Sequence, residues 1–348
     1  MAHITLVLPF ALPAPEFATD LARALKAPAL AALLSRTVST RLTPADPKIR
    51  ALPHETWLAR TLGLHLDGQP AFARAAMRGY GLDPVDGTWF IVNPAHIEIA
   101  RSHLLMSDLR HLHLSDEDSR ALFDAARPSF DEAGHAAAYG DANTWFLRAD
   151  DWAGMDTASP DAAVGMNLTD WMPLGQRALA FRKLQNEIQM VWHTHPSNAS
   201  RAEHGLAPVN ALWLWSGAPT SIDAHPAATP KSGAYADIAT FEVPSWLAAL
   251  GTRKLATLDP IASDAQNDTL LVCGNVAAPA IAADWSSWLE QMQRLEAELF
   301  APLLAALTKG SVKDIRLVLS HRDGLAEFTT TALAQRKFWR RPTLDRLI

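Results

Sequence analysis

The chain has 348 residues, of which 49% are hydrophobic and 20% are charged, so it is long enough to bury one large or two moderate cores. Its formal net charge of −6 gives no general attraction to nucleic acid or to an anionic membrane, and we expect neither partner. A single cysteine, Cys273, excludes an intrachain disulfide and indicates a buried thiol in a reducing compartment.

Residues 1–80 have the pattern of the first part of an α/β core. Residues 4–8 predict an apolar, β-branched strand, and Ala and Leu at helical spacing follow over residues 16–36. Pro28 divides that stretch into two predicted helices. The apolar run at residues 4–12 lacks the cationic segment of a signal peptide and is too short to span a bilayer, so we expect a cytoplasmic protein.

Residues 81–165 predict a small α+β subdomain inserted into that core. Three short apolar runs predict strands, at residues 88–92, 97–99 and 104–106. Ser115 is the expected N-cap of a helix that ends before Pro128. The three acidic residues at positions 116–118 lie in the first turn of that helix, so we interpret them as capping residues rather than catalytic acids.

Residues 166–348 predict the second part of the core, because strands and helices alternate there as in a mainly parallel sheet with helices on both faces. The run 209–215 is apolar on both faces, which is typical of a central parallel strand. Further elements are predicted as a strand at 270–273, a long amphipathic helix at 283–307, a strand at 315–319 and a helix or hairpin at 328–338.

Two segments of this part have a distinct composition. The proline-containing passage 218–233 is a candidate mobile loop over a site. A cluster of cations at positions 336–346, with Phe338 and Trp339 between them, is the one local basic patch, and we predict a solvated terminal helix there.

A polar loop that runs from His193 into the apolar strand is the strongest candidate site. Its hydrogen-bonding side chains are His193, His195, Asn198, Arg201 and Asn210. The pair His193-Thr-His195-Pro196 is similar to the zinc pair of JAMM-type metalloproteases, but His204 and Ala207 stand where that family has Ser and Asp, so we do not predict a zinc peptidase. The chain also lacks a Gly-x-Ser-x-Gly elbow, a Walker loop and a dinucleotide glycine motif.

The same loop carries a long motif. His195-Pro-x-Asn198, Arg201, Gly205, Pro208-x-Asn210 and Leu212-Trp-Leu-Trp-x-Gly217 resemble the signature of the archaeal-type cofactor-independent phosphoglycerate mutases. Weaker similarity extends over residues 75–340, and the whole chain also resembles the bacterial RpfE-type regulatory proteins. The mutase resemblance implies an alkaline-phosphatase-like α/β core, two divalent metal ions and a transiently phosphorylated serine.

The residues expected at the family's metal positions are changed. Pro9-Phe10 replaces a metal-binding Asp-Gly after the first strand, and residues 275–281 replace an Asp and a His after the strand 270–273. Ser320-His-Arg-Asp323 stands in place of a late Asp-His pair. Because two metal ions need several carboxylates, we predict no metal cofactor, with Mn²⁺ or Mg²⁺ on His321 and Asp323 as the alternative.

The leading functional hypothesis is a catalytically degenerate mutase relative that acts as a ligand-sensing or protein-binding regulatory module. The five polar side chains of the loop would hold a phosphorylated or carboxylate small molecule through charge-assisted hydrogen bonds. An equally weighted structural alternative is that they cap the helix and satisfy buried backbone groups. Two other functions stay open, namely a metal-dependent phosphomutase or phosphatase with displaced ligands, and an interaction scaffold without a small-molecule site.

Overall fold

The fold is described from a computed structural model for residues 2–100, 103–224, 235, 237–259, 261 and 267–348. The chain divides into unit 1, which comprises Met1–Asp46, Leu52–Trp57 and Pro230–Ile348, and unit 2, which comprises Pro47–Ala51 and Leu58–Thr229. The expected division of the sequence after residues 80 and 165 stays a prediction. Residues 225–233 of the expected mobile loop lie outside the described residues.

Strands and helices are distributed along the whole of the described chain. The strands are β1 (Ala2–Leu8), β2 (Ser39–Pro44), β3 (His65–Leu66), β4 (Gln69–Pro70), β5 (Trp89–Ala95), β6 (Ile97–Ala100), β7 (His103–Met106), β8 (Ala137–Asp141), β9 (Thr144–Arg148), β10 (Ala211–Ala218), β11 (Asp237–Phe241), β12 (Arg253–Lys254), β13 (Thr269–Cys273), β14 (Val312–His321) and β15 (Gly324–Thr331). The helices are α1 (Ala18–Ala24), α2 (Pro28–Ser35), α3 (Pro53–Thr61), α4 (Ala73–Gly79), α5 (Asp116–Glu132), α6 (Pro160–Ala163), α7 (Ala178–His193), α8 (Pro196–Glu203), α9 (Ser245–Ala248), α10 (Ala277–Ile281), α11 (Trp285–Leu295), α12 (Ala301–Lys309) and α13 (Ala332–Gln335).

Unit 1 contains a seven-stranded sheet in the order β12-β11-β13-β1-β14-β15-β2. β1 runs parallel to β13 on one side and to β14 on the other. β11 is parallel to both β12 and β13. β15 and β2 are added antiparallel at one edge. The predicted α/β class with a mainly parallel sheet is therefore confirmed.

One face of this sheet carries the hydrophobic core of unit 1. Ile4, Leu6 and Leu8 of β1 point to this face, since alternate side chains of a strand share a face, and they pack with apolar residues of α1, α2, α11 and α12. Trp288 of α11 is fully buried, and its indole N–H donates to the carbonyl of Phe10 at 2.9 Å.

The predicted long helix at 283–307 is present as α11 and α12, joined by a π-helical turn, Glu296–Phe300. Glu296 of that turn is only 9% exposed. Its carboxylate accepts the N–H groups of Ala29 at 2.6 Å and Leu30 at 3.0 Å, in the first turn of α2. The first amides of a helix have no partner inside it, so Glu296 caps α2 from another element.

Unit 2 is built on a four-stranded sheet in the order β10-β5-β9-β8. Residues of α5 and α7 form its main hydrophobic cluster, in which Trp145 of β9 packs edge to face on Trp192 of α7. The predicted central parallel strand at 209–215 is wrong, because β10 pairs antiparallel with β5, Trp213 lying opposite Asn93. β10 is nevertheless buried along both faces, which is what its apolar pattern required.

Helix α5 departs from its prediction at one end. Ser115 is its N-cap as expected, accepting from the Asp118 N–H at 3.0 Å. The helix does not stop before Pro128 but continues to Glu132. Proline removes the hydrogen bond to the carbonyl four residues earlier, that of Asp124, and both residues are exposed, so water can satisfy that carbonyl.

The end of the described chain also differs from its prediction. Residues 328–331 complete β15, the single-turn helix α13 follows, and residues 336–341 are not helical, so the expected solvated terminal helix is absent from this stretch. None of the helices in the described ranges combines the length and apolar character that a bilayer crossing requires.

Candidate functional site

The motif-bearing loop lies in unit 2, where α7 ends at His193 as predicted. α8 follows with Pro196 in its first turn and His195 as its N-cap. The His195 Nδ1 accepts the N–H of Ser197 at 3.2 Å. His193 itself is exposed. The two histidines of the motif therefore have different surroundings.

Asn198 joins the end of α7 to the residue preceding β10. Its side chain is 5% exposed. The amide nitrogen donates to the carbonyls of Trp192 at 2.9 Å and Val209 at 2.8 Å, and the amide oxygen accepts from the Val209 N–H at 2.8 Å. This side chain replaces backbone partners that the loop lacks.

Arg201 is the most deeply buried polar side chain of the loop, at 2% exposure. Its Nε donates to the carbonyl of Ala207 at 3.0 Å, Nη1 to that of His113 at 3.4 Å, and Nη2 to that of Leu112. Burial lowers the pKa of Arg201, partly offset by the Asp118 carboxylate. Each guanidinium nitrogen that could face an anion contacts a backbone carbonyl instead.

Asn210 lies just before β10, and its side chain pairs with the backbone of Ile97, the first residue of β6. Its side-chain oxygen accepts from the Ile97 N–H at 2.8 Å, and its amide nitrogen donates to the Ile97 carbonyl at 2.8 Å. Together with Asn198 and Arg201 it follows the structural alternative, in which the polar side chains support backbone. A ligand role for the five residues stays a prediction, to which these contacts add nothing.

The carboxyl ends of β1, β13 and β14 in unit 1 carry Phe10, Asn275 and Ser320, at the sheet edge where parallel α/β proteins usually bind ligands. The Ser320 hydroxyl lies 3.1 Å from His54 Nδ1 and accepts from the Phe10 N–H at 3.4 Å. The Asn275 amide donates to the side-chain oxygen of Gln291 at 3.1 Å. The three strand ends thus present a ring, an amide and a hydroxyl.

These residues do not fit a two-metal centre. His321 ends β14 and Asp323 lies in the turn to β15; the His321 Nδ1 accepts the Asp323 N–H at 3.1 Å, and the Asp323 side chain is exposed. Burial lowers the pKa of His321, against the raising effect of the Asp323 and Glu16 carboxylates. Within the described ranges, no three His, Cys, Asp or Glu side chains are grouped to hold a metal ion. A two-metal centre needs more carboxylates than this turn supplies.

The sheet face opposite the unit 1 core holds a polar groove. Strand register places Ser39, Thr329, Arg316 and Thr5 in one row across β2, β15, β14 and β1. The groove has a volume of about 570 Å³, and its lining also includes His3, Arg41, Tyr235, Asp268, Asp314 and Glu327. A polar face is common on antiparallel edge strands such as β15 and β2, but here the polar row continues onto the parallel pair β14 and β1, whose faces are ordinarily apolar.

The charged groups of the groove are largely paired with one another. His3 Nδ1 lies 2.6 Å from the Asp314 carboxylate, and Arg316 pairs with Glu327. The Tyr235 hydroxyl donates to Thr5 Oγ1 at 2.9 Å. Carboxylates, guanidinium groups and hydroxyls together can accept from and donate to a polar ligand.

Sequence reasoning missed this groove. A signal was available, because polar residues occupy every second position over part of three strands: His3 and Thr5, Asp314 and Arg316, Glu327 and Thr329. That period of two marks one polar face. The mainly parallel pattern directed attention to the strand ends instead.

Comparison with known proteins gives a consistent picture. No family model matches the chain. A stretch of 143 residues, 40% of the chain, is 29% identical to the "probable 2,3-bisphosphoglycerate-independent phosphoglycerate mutase" of Geobacter sulfurreducens. The predicted similarity to cofactor-independent phosphoglycerate mutases is thereby confirmed. The match spans 35% of that mutase, about a third of its length.

The fold is shared with a solved structure of higher similarity, and a second match is weaker. The PH0037 protein from Pyrococcus horikoshii superposes with a TM-score of 0.55 at 14% identity, over 95% of this chain and 87% of that one. The cofactor-independent phosphoglycerate mutase from Thermoplasma acidophilum gives a TM-score of 0.43 at 16% identity, over 100% of this chain and 94% of that one. The predicted α/β fold with a mainly parallel sheet is confirmed.

Proposed function

We propose that this relative of the phosphoglycerate mutases has lost metal-dependent phosphotransfer and acts as a ligand-sensing or protein-binding regulatory module in the cytoplasm. The observation that carries the proposal is the chemistry of the strand ends in unit 1. Phe10, Asn275 and Ser320 stand at positions where the resemblance implies metal ligands, and each contacts other protein groups. The resemblance to RpfE-type regulatory proteins agrees with this role.

The groove on the sheet face is the better candidate for the small-molecule site. It has the volume of a small-molecule pocket, and Arg41 and Arg316 lie on its lining beside the hydroxyls of the polar row. The proposed ligand is a small phosphorylated or carboxylate compound. Its acidic group would contact Arg41, and its other polar atoms would contact the hydroxyl row.

Activity measurements test the loss of phosphotransfer. We expect purified protein supplied with Mn²⁺ or Mg²⁺ not to interconvert 2- and 3-phosphoglycerate, and elemental analysis to find no stoichiometric divalent metal. Turnover that disappears in His321→Ala or Asp323→Ala would instead establish the alternative of a mutase or phosphatase with displaced ligands.

A thermal-shift screen of phosphorylated and carboxylate metabolites tests the ligand site. A compound that stabilises the wild type should bind Arg41→Gln roughly tenfold or more weakly, the effect of one charge-assisted hydrogen bond. Arg182→Gln, which changes an exposed arginine of unit 2, is the matched control and should bind like the wild type. If no compound stabilises the wild type, the scaffold without a small-molecule site becomes the better account.

A further inference from the structure

A short segment of unit 1, Arg336–Arg341, displays two aromatic rings between four cations; we call it the basic-aromatic segment. Phe338 is 84% exposed and Trp339 is 68% exposed. The two rings contact each other edge to face, with centroids 5.2 Å apart and planes at 83°. Large aromatic side chains are seldom this exposed together without an interaction to make.

The segment is anchored at both ends. Before it, Thr331 caps α13 by accepting the Ala334 N–H at 3.2 Å. After it, the Thr343 N–H donates to the Ser35 hydroxyl at 2.9 Å, and Leu347 is 3% exposed in the unit 1 core. Inside it, the Arg340 carbonyl accepts from Arg36 Nε at 3.3 Å. The folded unit therefore holds both rings out toward solvent.

The cations of the segment have no carboxylate partner within the part of the chain that the structure describes. Lys337 Nζ and Arg340 Nη1 both donate to the carbonyl of Thr37, at 3.3 and 3.4 Å. Arg336 and Arg341 are exposed. At physiological salt, charges farther away than about 8 Å are screened, so a surface that touches the segment meets its local positive charge and not the −6 of the chain.

We propose that the basic-aromatic segment binds an anionic lipid surface. Trp side chains favour the headgroup level of a bilayer, and neighbouring Lys and Arg are attracted by anionic lipids. The protruding rings need no preformed pocket in a fluid surface, as they would in a protein partner. Their perpendicular planes do not offer a parallel platform for stacked nucleic-acid bases. This proposal departs from the expectation drawn from net charge, and it is independent of the proposed ligand site.

Co-sedimentation of the full chain with vesicles tests the proposal. The vesicles are phosphatidylcholine alone or phosphatidylcholine with about 30% phosphatidylglycerol, at about 50 and about 300 mM salt. We expect binding to the anionic vesicles at low salt and little binding to neutral vesicles or at high salt. Arg340→Gln/Arg341→Gln should partition at least roughly tenfold more weakly, since each cation near an anionic surface contributes about a fivefold gain.

The aromatic rings have their own variant and control. Phe338→Ser/Trp339→Ser should also lose binding, whereas Leu179→Ser/Met190→Ser, which removes two exposed apolar side chains of α7, should bind like the wild type. The melting temperature of each variant is measured as the control, and a value equal to that of the wild type shows that the variant keeps the fold. Equal binding to both vesicle types, or full binding by the aromatic variant, would overturn the proposal. Displacement of the protein from vesicles by a single-stranded oligonucleotide or by polyglutamate at equal charge would assign the segment to another polyanion.

Discussion

At the scale of single residues, the polar signature of the central loop supports the backbone. Asn198 and Arg201 are almost fully buried and hydrogen-bond carbonyl and N–H groups of the surrounding chain. The sequence identified these residues as special but could not show their partners. An arginine that holds a phosphate and one that holds three carbonyls are the same residue type in the same kind of motif, and only their neighbours in space distinguish them.

We predict that Arg201→Ala lowers the free energy of unfolding by about 2–4 kcal/mol, because it leaves buried carbonyls unsatisfied and opens a cavity. Asn198→Ala should lower the free energy of unfolding by about 1–3 kcal/mol, because it leaves buried backbone groups unsatisfied. Urea unfolding measures both. Glu203→Ala, an exposed change on α8, is the control and should stay within about 0.5 kcal/mol of the wild type. An Arg201→Ala protein as stable as the wild type would contradict the structural role and favour a role of Arg201 in ligand binding.

At the scale of elements, local sequence patterns predicted the burial of residues better than they predicted which elements pair with one another. β10 is apolar on both faces because both faces are covered, and that condition does not distinguish a parallel strand from an antiparallel one. Pro128 stays inside α5 because its side of the helix is exposed, which single-residue preferences do not reveal. The cap that Glu296 gives to α2 joins residues 267 positions apart, beyond the reach of any local motif.

That cap yields a prediction for α2. Glu296→Ala should lower the free energy of unfolding by about 2–4 kcal/mol, since two buried amides lose a charged acceptor. Glu296→Gln should cost less, because one side-chain oxygen remains to accept. Chemical denaturation of the two variants, with exposed Glu290→Ala of α11 as the control, gives the comparison. Equal stability of all three would mean that water replaces the carboxylate.

At the scale of the whole molecule, the fold class followed from the alternation of strands and helices, which is visible along the chain, whereas the division into two units is not visible there. The division depends on the pairing of β10 with β5 in unit 2, which joins segments about 120 residues apart. The hydrogen bond from the Trp215 indole to the Asn93 side chain, for example, joins residues separated by 122 positions. Long-range pairing of this kind leaves no trace in composition. The polar groove needed the same information, because its row combines four strands from both ends of the chain.

Stability of the whole molecule should depend on pH through His135. The ring is 8% exposed and packs edge to face on Trp152, with centroids 4.4 Å apart. Burial lowers the His135 pKa below its ordinary 6.5, although nearby Asp151, the Arg148 backbone and Asp150 act in the opposite direction. Below pH 6.5 the unfolded chain therefore takes up a proton that the folded chain resists, and stability falls until the folded ring is protonated as well.

We expect His135→Phe, which keeps an aromatic ring beside Trp152, to lose less stability than the wild type between pH 7.5 and pH 5. The control, His103→Gln, changes an exposed histidine and should keep the wild-type dependence. Urea midpoints at the two pH values decide the matter. Parallel losses in wild type and His135→Phe would locate the pH dependence in other groups.

The position of β1 between β13 and β14 affects how the protein folds during its synthesis on the ribosome. Ile4, Leu6, Val7 and Leu8 of β1 are apolar and buried, and His3 lies 265 positions before Asp268, its hydrogen-bond partner beside β13. At a translation rate of about 5–20 residues per second, the neighbouring strands are synthesised roughly 15–50 seconds after β1. Unit 2 from Leu58 to Thr229 is completed within that interval. During that interval β1 has no strand to pair with, so its apolar residues can aggregate, and we expect chaperone capture in the living cell to concentrate on that strand.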